Sequence, residues 1–114
     1  MRKYSAGAGR DYERKVKRFL MMMGFFAMRS AGSHGPFDVV AIDRDQVLFI
    51  QCKLGSSFPS NEELNTLYSL GRKYGAVPII AVGPRPSNMY KIIAKGVRAG
   101  SRKVRLEKCC PWVR

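Results

Sequence analysis

Two runs rich in β-branched and aromatic residues, 37–42 and 46–54, are separated only by Asp43-Arg44-Asp45, and this pairing constrains the chain more than any other feature. It predicts a hairpin of central strands, buried mostly on both faces. With the turn centred between Arg44 and Asp45, Asp38 lies directly across from Gln51. Side chains alternate along a strand, so Gln51 and Lys53 share the face of Asp38 while Cys52 points to the other. A carboxylate, an amide oxygen and an ammonium are thus expected at one end of a sheet.

The remaining elements assemble around that hairpin. Residues 1–9 are basic, small and glycine-containing, which predicts a flexible arm ahead of one small domain over 10–114. From Arg10 onward, Tyr12, Val16, Phe19, Leu20 and Met23 form one helical stripe, Arg14, Lys15, Lys17 and Arg18 fill the opposite face, and Gly24 ends the helix. Residues 25–29 read as a strand and 30–36 as a polar, turn-forming loop. Ser60 caps a second helix with Glu62 and Glu63 in its first turn and Leu64, Leu67, Tyr68 and Leu70 on its apolar face. Residues 78–82 form a further buried strand, and the helix between it and the hairpin predicts a parallel crossover. Residues 84–87 turn, 89–93 permit a short helix or a strand, and 103–107 alternate as an edge strand does. The outline is α/β, a single small domain in which helices flank the sheet, as suits 114 residues.

Charge narrows the function. Lys and Arg number 21 against 8 Asp and Glu, a net charge of +13 that calls for a polyanionic partner. A membrane surface is disfavoured, because the most apolar stretch, 19–28, is half of the ~20 residues a spanning helix needs. The basic start runs into Asp11, Tyr12 and Glu13 without a secretory pattern, so an intracellular, cytoplasmic protein is expected. Cys52, Cys109 and Cys110 make a poor disulfide framework and fit a reducing compartment. His34 is the one histidine and no cysteines have zinc-finger spacing, so any metal is expected to be oxygen-bound.

Beside phosphate, such a site suits Mg²⁺, which takes oxygen ligands from one or two carboxylates. Asp38 is the expected anchor, with the Gln51 side-chain oxygen and the Cys52 backbone carbonyl as further donors and Glu13 completing the shell from the helix edge. Lys53 would orient the attacking water or stabilise charge on the phosphorane. Taken singly these residues have plainer readings: an Asp after Gly-Pro-Phe often starts a strand, and a Lys beside an apolar run often reaches out to water. Their combination on neighbouring strands costs several kcal/mol, by order of magnitude, unless they are paired or metal-bound.

The series Gly9-Arg10-Asp11-Tyr12-Glu13-Arg14, then Arg29-Ser30-Ala31-Gly32-Ser33-His34-Gly35-Pro36-Phe37-Asp38, then Gln51-Cys52-Lys53 resembles archaeal-type Holliday junction resolvases of the PD-(D/E)xK nuclease superfamily, over about residues 9–83. The resemblance implies a restriction-endonuclease-like mixed β-sheet flanked by helices, with 10–114 as the nuclease domain. It further implies a symmetric homodimer that nicks paired strands of a four-way DNA junction, using Mg²⁺ or, in its place, Mn²⁺. Glu13 matches the helical acid of the site, Asp38 the central metal ligand and Lys53 the catalytic lysine. Arg14 and Arg29 match basic residues tied to DNA contact or activity, and Ser33 lies in the loop that approaches the scissile strand. Lys3, Arg10, Ser30 and His34 are further candidates for DNA contact. Tyr4 and Trp112 are candidates for stacking on splayed bases, Tyr12 is expected to pack on the helix stripe, and Met21 to Met23 to face core or dimer partner. The place of action implied is the cytoplasm, at the nucleoid or, for a viral genome, in its host cell.

One departure stands out. The family usually has Glu where this chain has Gln51, which keeps a coordinating oxygen but removes a negative charge. Metal affinity is expected to fall, or another carboxylate to carry more of the load. Two other functions stay open: a PD-(D/E)xK nuclease acting on ends, flaps or duplex, and a branched-DNA-binding protein whose nuclease site is weakened at Gln51.

Overall fold

The computed structural model describes residues 7–30, 35–55, 58–94 and 105–109. Within them the elements are α1 (Ala8–Met22), β1 (Phe26–Arg29), β2 (Val39–Ile42), β3 (Val47–Lys53), α2 (Asn61–Tyr74), β4 (Val77–Val82), β5 (Met89–Ala94) and β6 (Arg105–Cys109). The strands form one mixed sheet in which each lies beside its predecessor in the chain. All neighbours are antiparallel except β3 and β4, whose parallel pairing follows from the helical crossover between them. The family-implied mixed sheet with flanking helices is what the chain forms.

The hairpin has the register that its turn dictates. Val39 pairs with Ile50 and Ile42 with Val47. Asp43 Oδ1 accepts from the backbone N–H groups of Asp45 and Gln46 at 2.8 and 2.9 Å, the side-chain-to-backbone bonding that makes Asp a turn former.

Helix α1 begins at Ala8, two residues before the expected Arg10 and inside the span expected as a flexible arm; residues 1–6 of that arm lie outside the described residues. Its buried side chains are Tyr12, Val16 and Leu20, and Gly24 follows with φ of 102°, a conformation that glycine tolerates. Helix α2 opens with a reciprocal capping box, Ser60 Oγ accepting from Glu63 N and Glu63 Oε1 accepting from Ser60 N, and closes on Gly75 in the left-handed region. The ambiguous 89–93 segment is strand, drawn into the ladder by β4 on one side and β6 on the other. Residues 103–104 of the expected edge strand are outside the described residues, and β6 begins at Arg105.

Each helix covers a different part of the sheet. Helix α1 packs on β1, β2 and β3, and with them buries Tyr12, Val16, Leu20, Phe25, Val39 and Leu48 in the larger core. Helix α2 lies on the opposite face over β3, β4 and β5, where Leu64, Leu67, Ile80 and Ile92 form a smaller core flanked by the stacked Phe37 and Phe49 rings. Because α2 does not reach β1 and β2, Phe26, Met28 and Ile42 remain exposed there. Burial on both faces therefore does not hold for the far end of β2, where Ile42 is 41% exposed. Met21 and Met22 are exposed as well, and only Met23 of that run packs partly against the core. No helix among the described residues is long and apolar enough to cross a membrane.

Candidate active site at the end of the hairpin

Strand β2 stops at Val39, and the next residue back, Asp38, uses its side chain to continue the pairing. Asp38 N donates to the Ile50 carbonyl at 2.8 Å, while Asp38 Oδ2 accepts from Cys52 N at 2.8 Å. The carboxylate is thereby fixed beside the last residues of β3. A strand residue's N–H and C=O point to the same side, so the Cys52 carbonyl faces Asp38 too. Ser30 braces the approach: its N–H donates to the Asp38 carbonyl at 2.8 Å and its Oγ to the Phe37 carbonyl at 3.0 Å.

Alternation along β3 sorts the other groups as expected. Cys52 packs against the α1 core. Lys53 turns to the α2 side, where its Nζ lies 3.9 Å from Glu63 Oε2. Gln51 faces the same side and lines a cavity of about 430 Å³ together with Gly35, Pro36, Glu62, Glu63 and Thr66. Its Oε1 is buried and has no hydrogen-bond partner among the described residues. An orphaned buried oxygen costs about 1–3 kcal/mol, so its position asks for a ligand.

Glu13 approaches from α1. Its Oε1 accepts from Arg29 Nη2 at 3.1 Å and Arg29 Nε at 3.3 Å, a half-buried ion pair that joins the helix to the end of β1. The Asp38 carboxyl is pushed above the ordinary carboxylate range, chiefly by burial. Nearby Glu13 adds to the rise, while the Cys52 N–H bond, Lys53 and Arg29 oppose it. Burial also pushes the Cys52 thiol and the Tyr12 hydroxyl up, which keeps both neutral. Tyr12 packs in the core as expected, and its hydroxyl donates to the Arg85 carbonyl at 3.0 Å. The end of β4 closes tightly on this ring: a Cβ on Gly83 would meet the Leu54 side chain and approach the Tyr12 ring at 3.2 Å.

These donors fit a hard divalent cation. The available atoms are all oxygen, one carboxyl has an upward-shifted pKa of the kind that a nearby cation relieves, and one amide oxygen is unpartnered. Among the described residues no three His, Cys, Asp or Glu side chains group as a cage, so a cation here would need amide or backbone oxygens as well.

Of the expected DNA-contact residues, Arg10 and Arg14 are exposed on α1, and Arg14 pairs with Asp11 at 3.1 Å. Arg29 is engaged with Glu13 and Ser30 with the backbone. Lys3, Ser33 and His34 lie outside the described residues, as do Tyr4 and Trp112. Glu63 is the group that reading the sequence missed, because its place in a capping box already explains a glutamate there. The available signal was the crossover itself, since ligands in open α/β sheets gather beyond the carboxyl ends of the strands.

Comparisons with known proteins point to one family. The family profile described as archaeal Holliday junction resolvase (Hjc) matches residues 4–108, which extends the likeness well beyond residue 83. The crossover junction endodeoxyribonuclease Hjc of Methanocaldococcus jannaschii is 35% identical over 77 residues, 65% of this chain and 57% of that protein's length. The structure of Archaeoglobus fulgidus Hjc, a Holliday junction resolvase from an archaeal hyperthermophile, is similar with a TM-score of 0.59 and 29% identity, over 73% of this chain and 70% of the other.

Proposed function

The chain belongs to the archaeal Holliday junction resolvase family, and from that premise we propose that it is a structure-selective DNA endonuclease that resolves four-way junctions by metal-dependent phosphodiester hydrolysis. The observation that carries this reading is the fixed carboxylate of Asp38 beside the Cys52 N–H, with the unpartnered Gln51 oxygen and the Lys53 ammonium on the same strand. The chain spans 57% of the length of its M. jannaschii relative, and that protein's activity is carried over as part of the proposal.

Asp38, Gln51 Oε1 and the Cys52 carbonyl would hold Mg²⁺ or Mn²⁺, with Glu13 completing the shell. When bound, the cation lowers the pKa of water and neutralises charge on the phosphate. The protein's own groups do the rest. Lys53 orients the attacking water and stabilises charge gathering on the phosphoryl oxygens. Arg29 holds Glu13 in place through its two guanidinium bonds. The exposed Arg10, Arg14, Lys15 and Arg18 of α1 supply phosphate contacts, which position a branched duplex by shape without reading bases. By the family resemblance Ser33 belongs to the loop that acts at the scissile strand, and His34 and Lys3 are proposed as further DNA contacts. Two copies related by a two-fold axis would cut two strands symmetrically. The cytoplasm is the proposed place of action.

Purified protein on a synthetic four-way junction with Mg²⁺, beside Asp38→Ala, tests the reading. Paired, symmetric nicks from the native chain and none from the variant are expected, with linear duplex cut far less. Absence of paired nicks overturns it. The neutral amide of Gln51 favours one second reading, a junction-binding protein with a weakened site, which would bind with strong salt dependence and cut at no Mg²⁺ or Mn²⁺ concentration.

A further inference from the structure

The charges of the site residues named from the sequence cancel before any ligand arrives. Glu13 is paired with Arg29, and Asp38 is opposed by Lys53, so with a neutral Gln51 these five side chains present no net negative charge to a divalent cation. Two acids of α2, Glu62 and Glu63, line the cavity with Gln51, and of these Glu63 also lies against Lys53. Glu63 reaches in from α2, and its two oxygens have separate tasks. Oε1 accepts from Ser60 N at 2.9 Å in the capping box, while Oε2 stands 3.9 Å from Lys53 Nζ. A capping box forms with Gln as well as Glu, so the cap's hydrogen bonds do not require the charge, although a carboxylate there also complements the helix dipole. Gln51, whose buried Oε1 has no partner, lines the same cavity as Glu63.

We infer that Glu63 is a positioning residue of this site: it draws the Lys53 ammonium toward itself and supplies, in the cavity that it lines with Gln51, the negative charge that Gln51 lacks. The inference rests on the metal-dependent nuclease reading and moves one of its charges from the strand to the facing helix. It makes the chain a rearranged version of its family's site, with the acid displaced through space from β3 to α2.

A two-by-two charge relocation tests it, with Glu63→Gln made in the native chain and in Gln51→Glu. Mn²⁺ binding to the free protein is followed by calorimetry, and nicking of a four-way junction is followed separately. In the native chain Glu63→Gln should weaken both by about tenfold, since a carboxylate near the cation is lost. In the Gln51→Glu background the same replacement should cost less than about threefold, because the strand again carries the charge. The melting temperature should fall by no more than a few degrees, as the amide keeps the Ser60 bond and only the helix-dipole contribution is lost; that loss is shared by both backgrounds, so the difference between them still decides. Glu107→Gln, which removes the same charge on β6, should leave Mn²⁺ binding unchanged. Equal losses in the two backgrounds, an unchanged Mn²⁺ affinity in Glu63→Gln, or no Mn²⁺ binding by the native chain would each overturn the inference. Mn²⁺ binding that depends on Glu63, without any junction nicking, would uphold the charge role and remove the nuclease reading instead.

Discussion

The two faces of the sheet are built on different terms. The α1 face is closed by a broad apolar cluster in which Val16, Leu20, Val39, Leu48 and Ile50 have no exposed surface. The α2 face has a smaller buried cluster of Leu64, Leu67, Ile80 and Ile92, and its open end keeps Gln51 and Glu63 around a cavity with Lys53 beside Glu63. One face gives the fold its stability; the other tolerates polar groups because the first has already provided a core. Asp38 stands where the two regions meet, bonded to the backbone of β3 and influenced by charges from both sides.

That division can be broken by substitution, and the largest effect is expected at Asp38. Asp38→Ala should lower nicking of a four-way junction by about 10³-fold or more, the several kcal/mol supplied by a cation ligand, while the chain still melts cooperatively. Retained nicking would dissociate the α2-side end from catalysis. Leu20→Ala, on the closed face, should instead lose roughly 2–5 kcal/mol of stability in urea unfolding, with activity falling only as the folded fraction falls. Equal stability in that variant would mean that the α1 cluster is not the main core.

A smaller effect sharpens the comparison within the cavity. Gln51→Glu should lower the Mg²⁺ concentration for half-maximal nicking by about tenfold, because one carboxylate charge returns to the strand. A metal titration with no shift would show that the amide already suffices. The smallest effect concerns stability and pH. Since the folded Asp38 carboxyl has a raised pKa, the folded state holds that proton more tightly than the unfolded chain does. Stability is therefore lost as pH rises through the interval between the ordinary carboxylate value and the raised one, and the penalty is complete above it. Asp38→Asn should accordingly raise the melting temperature by a few degrees at neutral pH, and this gain should vanish below the ordinary carboxylate range. A lower melting temperature at neutral pH would mean that the Cys52 bond outweighs the burial cost.

Much of the hairpin was legible because its instructions are local. Alternation set which residues share a face, and Asp43 fixed the turn, so the positions of Asp38, Gln51 and Lys53 followed from counting along the chain. The ends of elements were less legible: α1 starts at Ala8, ahead of the first residue of its apolar stripe, where periodicity leaves no mark. Ion pairs between distant elements were not readable in this way. Glu13 and Arg29 could each be singled out, yet their bond depends on how α1 crosses the end of β1. Glu63 was hidden more deeply, since one of its oxygens satisfies a local rule and only the parallel crossover brings the other to Lys53.

The sequential order of the sheet also has a kinetic side. Every strand adds to the one made just before it, so the ladder has low topological complexity and can lengthen in the direction of synthesis. The hairpin with Asp38 and Lys53 precedes α2 in the chain, so it can pair before the helix carrying Glu63 is added. Amide protection during refolding should accordingly rise in β2 and β3 ahead of α2; the reverse order would mean that the helix, not the hairpin, templates the site.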